Sequence, residues 1–187
     1  MHVHEVSGDT FHSFDMNPHV ILMLSDGMGK GLKAKKTSTI LVQIMEAMMR
    51  CHIPQMECIK MMNLFLRSDL YATLDVLSFD RRNNKAYLSK AASAPTYLLR
   101  KQELYEMNAH SLPIGIVDQV NADVYEITYQ KGDIFIMCSD GVYKEEIEKW
   151  MKLRRCTAIK NDGLNLINII KEKKRRDDST ILLAKID

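Results

Sequence analysis

The sequence predicts an α+β fold in which an antiparallel β-sandwich is flanked by helices. Segments with strand character follow one another with only short turns between them, and segments with helical periodicity occur in two pairs. This order differs from the strand–helix alternation of a doubly wound sheet. With 187 residues, of which 46% are hydrophobic, the chain can bury a sizeable core, and we expect a single domain over 1–187.

Helical periodicity predicts two pairs of helices. The first helix covers 32–51, with one apolar face formed by Ile40, Leu41, Ile44, Met45 and Met48. Pro54 opens the second helix, over 54–67, whose apolar stripe is Met56, Ile59, Met62 and Leu66. We expect these methionines to form an adaptable core, and a soft partner surface is the alternative. The second pair is predicted at 143–152 and 162–174.

Strand signals fill most of the remaining chain. Apolar runs at 20–24 and 134–138 have the length of buried strands. Alternating or short apolar segments predict further strands at 71–79, 86–90, 96–100, 103–107, 123–129 and 180–186. A hairpin turn is predicted at 82–85, and the stretch 111–115 is a loop rich in residues that interrupt regular structure.

Composition gives no indication of nucleic-acid binding, membrane insertion or a cysteine-based metal site. A net charge of +2 does not demand nucleic acid or an anionic membrane, and the basic clusters at 33–36 and 171–176 are expected to be solvated helix faces, with an acidic partner as the alternative. No apolar run reaches transmembrane length. The four cysteines have neither disulfide-framework nor metal-site spacing, which indicates a reduced, cytoplasmic environment. His2 and His4 lack a third ligand nearby, so we do not expect them to bind metal.

A short phrase that occurs twice carries the chemistry. The two apolar runs end on Ser25-Asp26-Gly27 and on Ser139-Asp140-Gly141. With Asp9 and Asp177, these aspartates place four carboxylates at possible strand ends, and oxygen ligands are what Mg²⁺ and Mn²⁺ prefer. Aspartate is also a common turn residue for backbone reasons alone, so a purely structural role remains the alternative.

Two such ions can activate a water for attack on phosphorus and neutralise the phosphoryl oxygens. The sequence contains no Ser-His-Asp order, no reactive-cysteine phosphate loop and no P-loop. A metal-activated water is therefore the expected nucleophile, with Asp26 and Asp140 acting through it.

The acidic motifs also carry a family resemblance. Their order, from 6–9 through 25–31 and 138–141 to 177–180, is similar to that of the PPM (protein phosphatase 2C-like) phosphatases. The segments 71–75, 94–96 and 112–116 lie between them and resemble more closely the C-terminal phosphatase domain of the stage II sporulation protein E family. The resemblance spans nearly the whole chain.

The resemblance implies a serine phosphatase that uses two Mn²⁺ or Mg²⁺ ions. Its implied substrate is a phosphorylated anti-anti-sigma factor, a STAS-domain protein. Asp26 would bridge both metals, the Gly27 carbonyl and Asp9 would each ligate one, and Asp140 and Asp177 would complete the other side. Thr73 and Asp75 are expected to be sheet residues.

The resemblance also implies regulation and context. The helix pair at 32–67 corresponds to a switch and dimer element, and a homodimer through it is expected. The chain would be the cytoplasmic part of a longer membrane-anchored protein, or a standalone domain that lacks the first strand of the fold. Ala92 stands where relatives often have glycine.

Two alternatives to the phosphatase stay open. A non-catalytic or switched-off module of the same fold would bind a phosphorylated STAS partner without turnover. A structural Ca²⁺ site is disfavoured, because the acidic residues lack the compact loop that such sites use.

Overall fold

The computed structural model describes residues 6–66, 70–117, 119, 121–154, 158–172 and 178–187. Two antiparallel sheets and two helix pairs confirm the predicted α+β class. The chain divides into two compact units, of which the first contains residues 1–94 and 108–129 and the second 95–107 and 130–187. None of the helices in the described ranges combines the length and apolarity that a membrane span requires.

The first unit is a five-stranded sheet covered by a helix pair. Its strands are β1 (Asp9–Met16), β2 (His19–Asp26), β3 (Leu74–Asp80), β4 (Lys85–Ala91) and β7 (Asp123–Thr128), in the order β1-β2-β3-β4-β7. The helices α1 (Gly31–Arg50) and α2 (Gln55–Phe65) bury their apolar faces against this sheet. Met45, Met49 and Met62 lie in that core, which confirms that the methionines of the pair serve mainly as core residues.

The second unit repeats the layering with different elements. Its strands are β5 (Thr96–Arg100), β6 (Glu103–Met107), β8 (Ile134–Cys138) and β9 (Ile181–Lys185), in the order β6-β5-β8-β9. The helices α3 (Lys144–Leu153) and α4 (Ile159–Lys171) pack on it around Trp150. The Trp150 indole nitrogen donates to the Asp162 carbonyl at 2.9 Å, which ties the two helices together.

Several predicted boundaries were wrong for identifiable reasons. Strand β3 begins at Leu74 and not at 71, because Ala72 forms isolated bridges to Gly27 and Ile114 instead of joining the ladder. The first strand, β1, was missed, since its sequence Asp-Thr-Phe-His-Ser-Phe-Asp-Met carries few aliphatic residues. Ile40, which was predicted to lie on the apolar face of the first helix, is 44% exposed, whereas Val42 and Met49 of the same helix are buried.

Candidate metal centre

The first Ser-Asp-Gly phrase lies at the end of β2, and hydrogen bonds to one threonine, Thr73, hold it in place. The buried Ser25 hydroxyl donates to the Thr73 carbonyl at 2.7 Å. The Asp26 N–H donates to the Thr73 hydroxyl at 3.0 Å, and the Thr73 N–H returns a bond to the Asp26 carbonyl at 2.9 Å. The half-buried Asp26 is therefore held at a rigid sheet end.

The glycines beside Asp26 bring oxygen atoms close together. A Cβ on Gly27 would lie 1.9 Å from the Ala34 carbonyl oxygen of α1, so only glycine fits there. A Cβ on Gly8 would lie 2.9 Å from the Asp26 Oδ1 atom and 3.2 Å from the Gly27 carbonyl oxygen. Because Gly8 has no side chain, a small space remains beside it, which we call the Gly8 cradle. The Asp26 Oδ1 atom and the Gly27 carbonyl oxygen both face this space.

Asp9 stands directly opposite Asp26 in the β1–β2 register. Its side chain is buried, and within the described residues its Oδ2 atom has no hydrogen-bond partner. The Lys35 ammonium donates to the Asp9 backbone carbonyl at 2.5 Å. A buried carboxylate oxygen without a partner is costly, and a bound cation removes that cost.

Helix α1 holds this segment in place. The Ser38 hydroxyl donates to the Gly8 carbonyl at 2.6 Å and lies 2.7 Å from the Thr10 hydroxyl. Since Ala34 of the same helix abuts Gly27, α1 contacts both chain segments that supply candidate ligands. Any movement of α1 would therefore displace those ligands.

The second Ser-Asp-Gly phrase has an equivalent arrangement in the other unit. The Ser139 N–H donates to the Thr180 carbonyl at 3.0 Å, and the Ser139 hydroxyl accepts from the Thr180 N–H at 2.9 Å. A Cβ on Gly141 would lie 1.9 Å from the Asp178 carbonyl oxygen. Asp140 is exposed next to this crossing.

The structure brings some of the predicted ligands together within one unit. Asp26 and the Gly27 carbonyl face the Gly8 cradle, and Asp9 stands opposite Asp26 in the strand register. Asp140 belongs to the second unit, and Asp177 lies outside the described residues. No group of three or more His, Cys, Asp or Glu side chains in the described part of the chain could hold a metal ion. Two carboxylates and one carbonyl nevertheless fit Mg²⁺ or Mn²⁺, which retain several water ligands.

Three other residues, Asp75, Lys90 and Cys58, have surroundings that indicate a structural role. Asp75 and Lys90 form a fully buried ion pair at 2.8 Å, as expected for an aspartate of the sheet. Burial raises the pKa of the Cys58 thiol to about 11, so the free side chain is a neutral thiol at neutral pH.

Sequence reasoning missed the residues that hold the acidic turns. Thr73 and Thr180 clasp the two serines, and Lys35 and Ser38 attach α1 to the Gly8–Asp9 segment. In the structure each threonine stands just before a strand, β3 or β9, and follows a small residue, Ala72 or Ser179, whereas the predicted strands at 71–79 and 180–186 included both threonines.

Comparison with known proteins shows which family the chain resembles. The family model described as "Stage II sporulation protein E (SpoIIE)" matches residues 17–187, a range that begins after Asp9. The chain is 29% identical to the stage II sporulation protein E of Priestia megaterium over 97% of its length, and it spans 34% of that relative. It is 20% identical to the phosphoserine phosphatase RsbU of Bacillus subtilis (strain 168), covering 97% of this chain and 60% of RsbU.

Solved structures confirm the PPM-type fold. The PP2C phosphatase domain of SpoIIE from Bacillus subtilis, solved with a fragment of its regulatory domain, superposes with a TM-score of 0.84 at 24% identity, covering 97% of this chain and 59% of that chain. RsbX in complex with magnesium gives a TM-score of 0.79 at 20% identity, covering 95% and 86%.

Proposed function

The chain belongs to the stage II sporulation protein E family, and from that premise we propose that it is a metal-dependent phosphoserine phosphatase. The observation that carries the proposal is the buried Asp9 Oδ2 atom, which no described residue partners, on the strand opposite Asp26. The Gly8 cradle beside Asp26 and the Gly27 carbonyl supports it. A relative described as a phosphoserine phosphatase and a structural neighbour solved with magnesium support the reaction and the cofactor.

We propose that Asp9, Asp26, Gly27, Asp140 and Asp177 hold two Mn²⁺ or Mg²⁺ ions within one phosphatase domain over 1–187. When bound, these ions activate a water and neutralise the phosphoryl oxygens. The Thr73 clasp fixes the backbone of Asp26, and the absence of a side chain on Gly8 keeps space open beside the Asp26 carboxylate. Such pre-organisation limits the structural adjustment required when the metals and the phosphoserine bind.

The proposed substrate is a phosphorylated STAS-domain anti-anti-sigma protein in the cytoplasm. This proposal rests on family membership alone, because no described residue identifies the phosphoprotein. The chain spans about a third of the length of the curated relative.

The helix pair α1 and α2 is proposed to act as the switch and as a homodimer surface. Helix α1 contacts the segments of Asp9 and Gly27, so its position sets the geometry of those ligands. On α2, Met61, Leu64 and Phe65 are exposed large hydrophobics, and they offer apolar area for a second copy.

A metal-titrated assay tests the proposal. The wild-type chain is incubated with a phosphoserine STAS protein, and phosphate release is measured with increasing Mn²⁺ or Mg²⁺ and after chelation. We expect hydrolysis that requires the metal and stops on chelation. Tight binding of the phosphorylated partner by the metal-saturated protein without turnover would instead support the non-catalytic module.

A further inference from the structure

A second concave site lies in the first unit, at the end of the sheet that carries the β1–β2 turn. Its volume is about 530 Å³, within the range of small-molecule sites, and the α1–α2 connection forms one wall. His19, at the start of β2, lines it, whereas Asp26 ends the same strand seven residues later, roughly 24 Å away for an extended chain. The cavity is therefore separate from the Gly8 cradle and the candidate metal ligands beside it.

The helix-facing row of the sheet changes character at this cavity. On β3, Leu74 and Val76 belong to the apolar core, but Ser78, the next residue on that face, lines the cavity. On β4, Ala91 is a core residue, whereas Ser89 and Tyr87 line the cavity. Hydroxyl groups thus replace aliphatic side chains where the helices no longer cover the sheet.

One polar group in the wall is already oriented. The Gln55 Nε2 atom donates to the Val76 carbonyl at 3.0 Å and to the Ser89 hydroxyl at 2.7 Å. Both amide hydrogens are thereby engaged, which leaves the Gln55 Oε1 atom as an acceptor. For the Tyr87 hydroxyl, the described part of the chain provides no hydrogen-bond partner, so it can donate or accept.

The remaining lining is mixed, since apolar side chains alternate with the polar side chains of Asn17, His19 and His52. Met16, Met49 and Met56 supply flexible, polarisable walls of the kind that suit aromatic ligands. Within the described residues, no Asp, Glu, Lys or Arg side chain lines the cavity. While the imidazoles of His19 and His52 are neutral, an anionic or cationic ligand would lose its hydration there without gaining an ion pair, which disfavours it.

We propose that this cavity binds a neutral, planar heteroaromatic molecule that presents a hydrogen-bond donor next to an acceptor. The donor reaches Gln55 Oε1, the acceptor takes the Tyr87 hydroxyl, and the ring lies among the methionines. The site is independent of the metal centre and of the proposed phosphatase activity.

The test uses nicotinamide and nicotinate, which share a planar ring but differ in charge. The protein carries methyl-labelled methionines, and NMR follows the methyl signals during titration. Nicotinamide should shift the signals of Met16, Met49 and Met56 saturably, with a dissociation constant on the order of a few millimolar, as expected for so small a ligand. The methyl signals of Met28 and Met137, which do not line the cavity, should stay in place. In a buffer at about pH 8, in which histidine is ordinarily neutral, nicotinate should bind at least about tenfold more weakly.

Two variants and a matched control locate the binding. Tyr87→Phe should weaken nicotinamide about fivefold through loss of one hydrogen bond. Val124→Trp should abolish binding by filling the mouth of the cavity, where Val124 is 54% exposed. Tyr105→Phe removes an exposed hydroxyl in the other unit and should leave the affinity unchanged. Unchanged thermal unfolding midpoints verify that the variants fold.

Three results would overturn the proposal. The first is the absence of saturable shifts at Met16, Met49 and Met56 at nicotinamide concentrations well above the expected dissociation constant. The second is equal affinity for nicotinate, which would contradict the neutral character of the site. The third is binding that survives Val124→Trp in a folded protein, which would place the ligand elsewhere.

Discussion

The two Ser-Asp-Gly turns share a backbone design. In each, a buried serine is clasped by a threonine at the start of another segment, Thr73 for Ser25 and Thr180 for Ser139. In each, the glycine is crossed so closely by another backbone that a Cβ would lie 1.9 Å from a carbonyl oxygen. The phrase therefore specifies a rigid turn at a strand end.

The two turns differ in the chain segment that packs against the glycine of each. Helix α1 crosses at Gly27, and the half-buried Asp26 faces the Gly8 cradle opposite the buried Asp9. At Gly141, the segment containing Asp178 crosses, and Asp140 stays exposed. The comparison teaches that the local sequence fixes the turn, whereas the crossing segment decides the surroundings of the aspartate.

The largest expected effect follows from removing each aspartate charge. Asp26→Asn and Asp140→Asn should each lower metal-dependent phosphate release by about a thousandfold or more, because charge stabilisation at the reacting phosphoryl group is lost. Steady-state hydrolysis of the phosphoserine STAS protein at saturating Mn²⁺ measures this. Full activity in Asp140→Asn would show that the second turn takes no part in catalysis.

Alanine substitutions at Gly27 and Gly141 test how closely another backbone segment packs against each turn. Gly27→Ala should lower the free energy of unfolding by about 3 kcal/mol, and Gly141→Ala by about 1–3 kcal/mol, because the new Cβ overlaps a backbone. The first cost is larger since α1 is anchored in the core along its length. Urea unfolding followed by circular dichroism measures both.

Gly163→Ala is the matched control for these substitutions. Gly163 lies inside α4, and a Cβ there would meet its nearest neighbour at an ordinary 3.5 Å. The same change should therefore stabilise the protein by about 0.5–1 kcal/mol. Equal stability changes at Gly27 and Gly163 would contradict the crossing at Gly27.

The serine clasps should be energetically equivalent. Ser25→Ala removes the donor to the Thr73 carbonyl, and Ser139→Ala removes the acceptor of the Thr180 N–H. Each should cost about 1–2 kcal/mol of unfolding free energy, the usual penalty for an unpaired polar group. If the two costs in urea unfolding differ by more than about 1 kcal/mol, the clasps are not equivalent.

Removal of the Asp9 charge should have a small effect on stability with an unusual sign. Without metal, Asp9→Asn should raise the free energy of unfolding by about 1 kcal/mol, because it neutralises a buried carboxylate whose Oδ2 atom has no hydrogen-bond partner among the described residues. With metal, wild type should gain about 2.7 kcal/mol at a hundredfold excess over the dissociation constant, and Asp9→Asn should gain much less. Thermal unfolding with and without Mn²⁺ measures both.

Asp140→Asn serves as the exposed counterpart of Asp9→Asn. In the absence of metal it should change stability by less than about 0.5 kcal/mol, because Asp140 is open to solvent. A metal-free loss of stability in Asp9→Asn would mean that the carboxylate has a stabilising partner, and it would remove the main support for the metal centre.

Elements with strong periodicity were predictable from the sequence. The helices around Met45 and Ile59 were found because apolar residues recur on one helical face. The apolar strand β8 was found because five consecutive buried residues precede Ser139. By contrast, the polar β1 was missed, because what makes it a strand is its pairing with β2.

The candidate site was predictable only in its residue types. The order of the acidic motifs indicated Asp9, Asp26 and Gly27, and the register then put Asp9 opposite Asp26. The roles of Thr73, Lys35 and Ser38 depend on contacts between residues far apart in the chain, so no local pattern announces them.

The sequence by itself determined where the chain turns and which turns carry carboxylates, because backbone preferences of Asp-Gly after an apolar run act over a few residues. Only the tertiary structure decided that Asp26 is half-buried and Asp140 exposed. Burial depends on the segment that crosses each turn, α1 at Gly27 and the Asp178 segment at Gly141. That choice is made by long-range packing, which gives two copies of one phrase different chemistry.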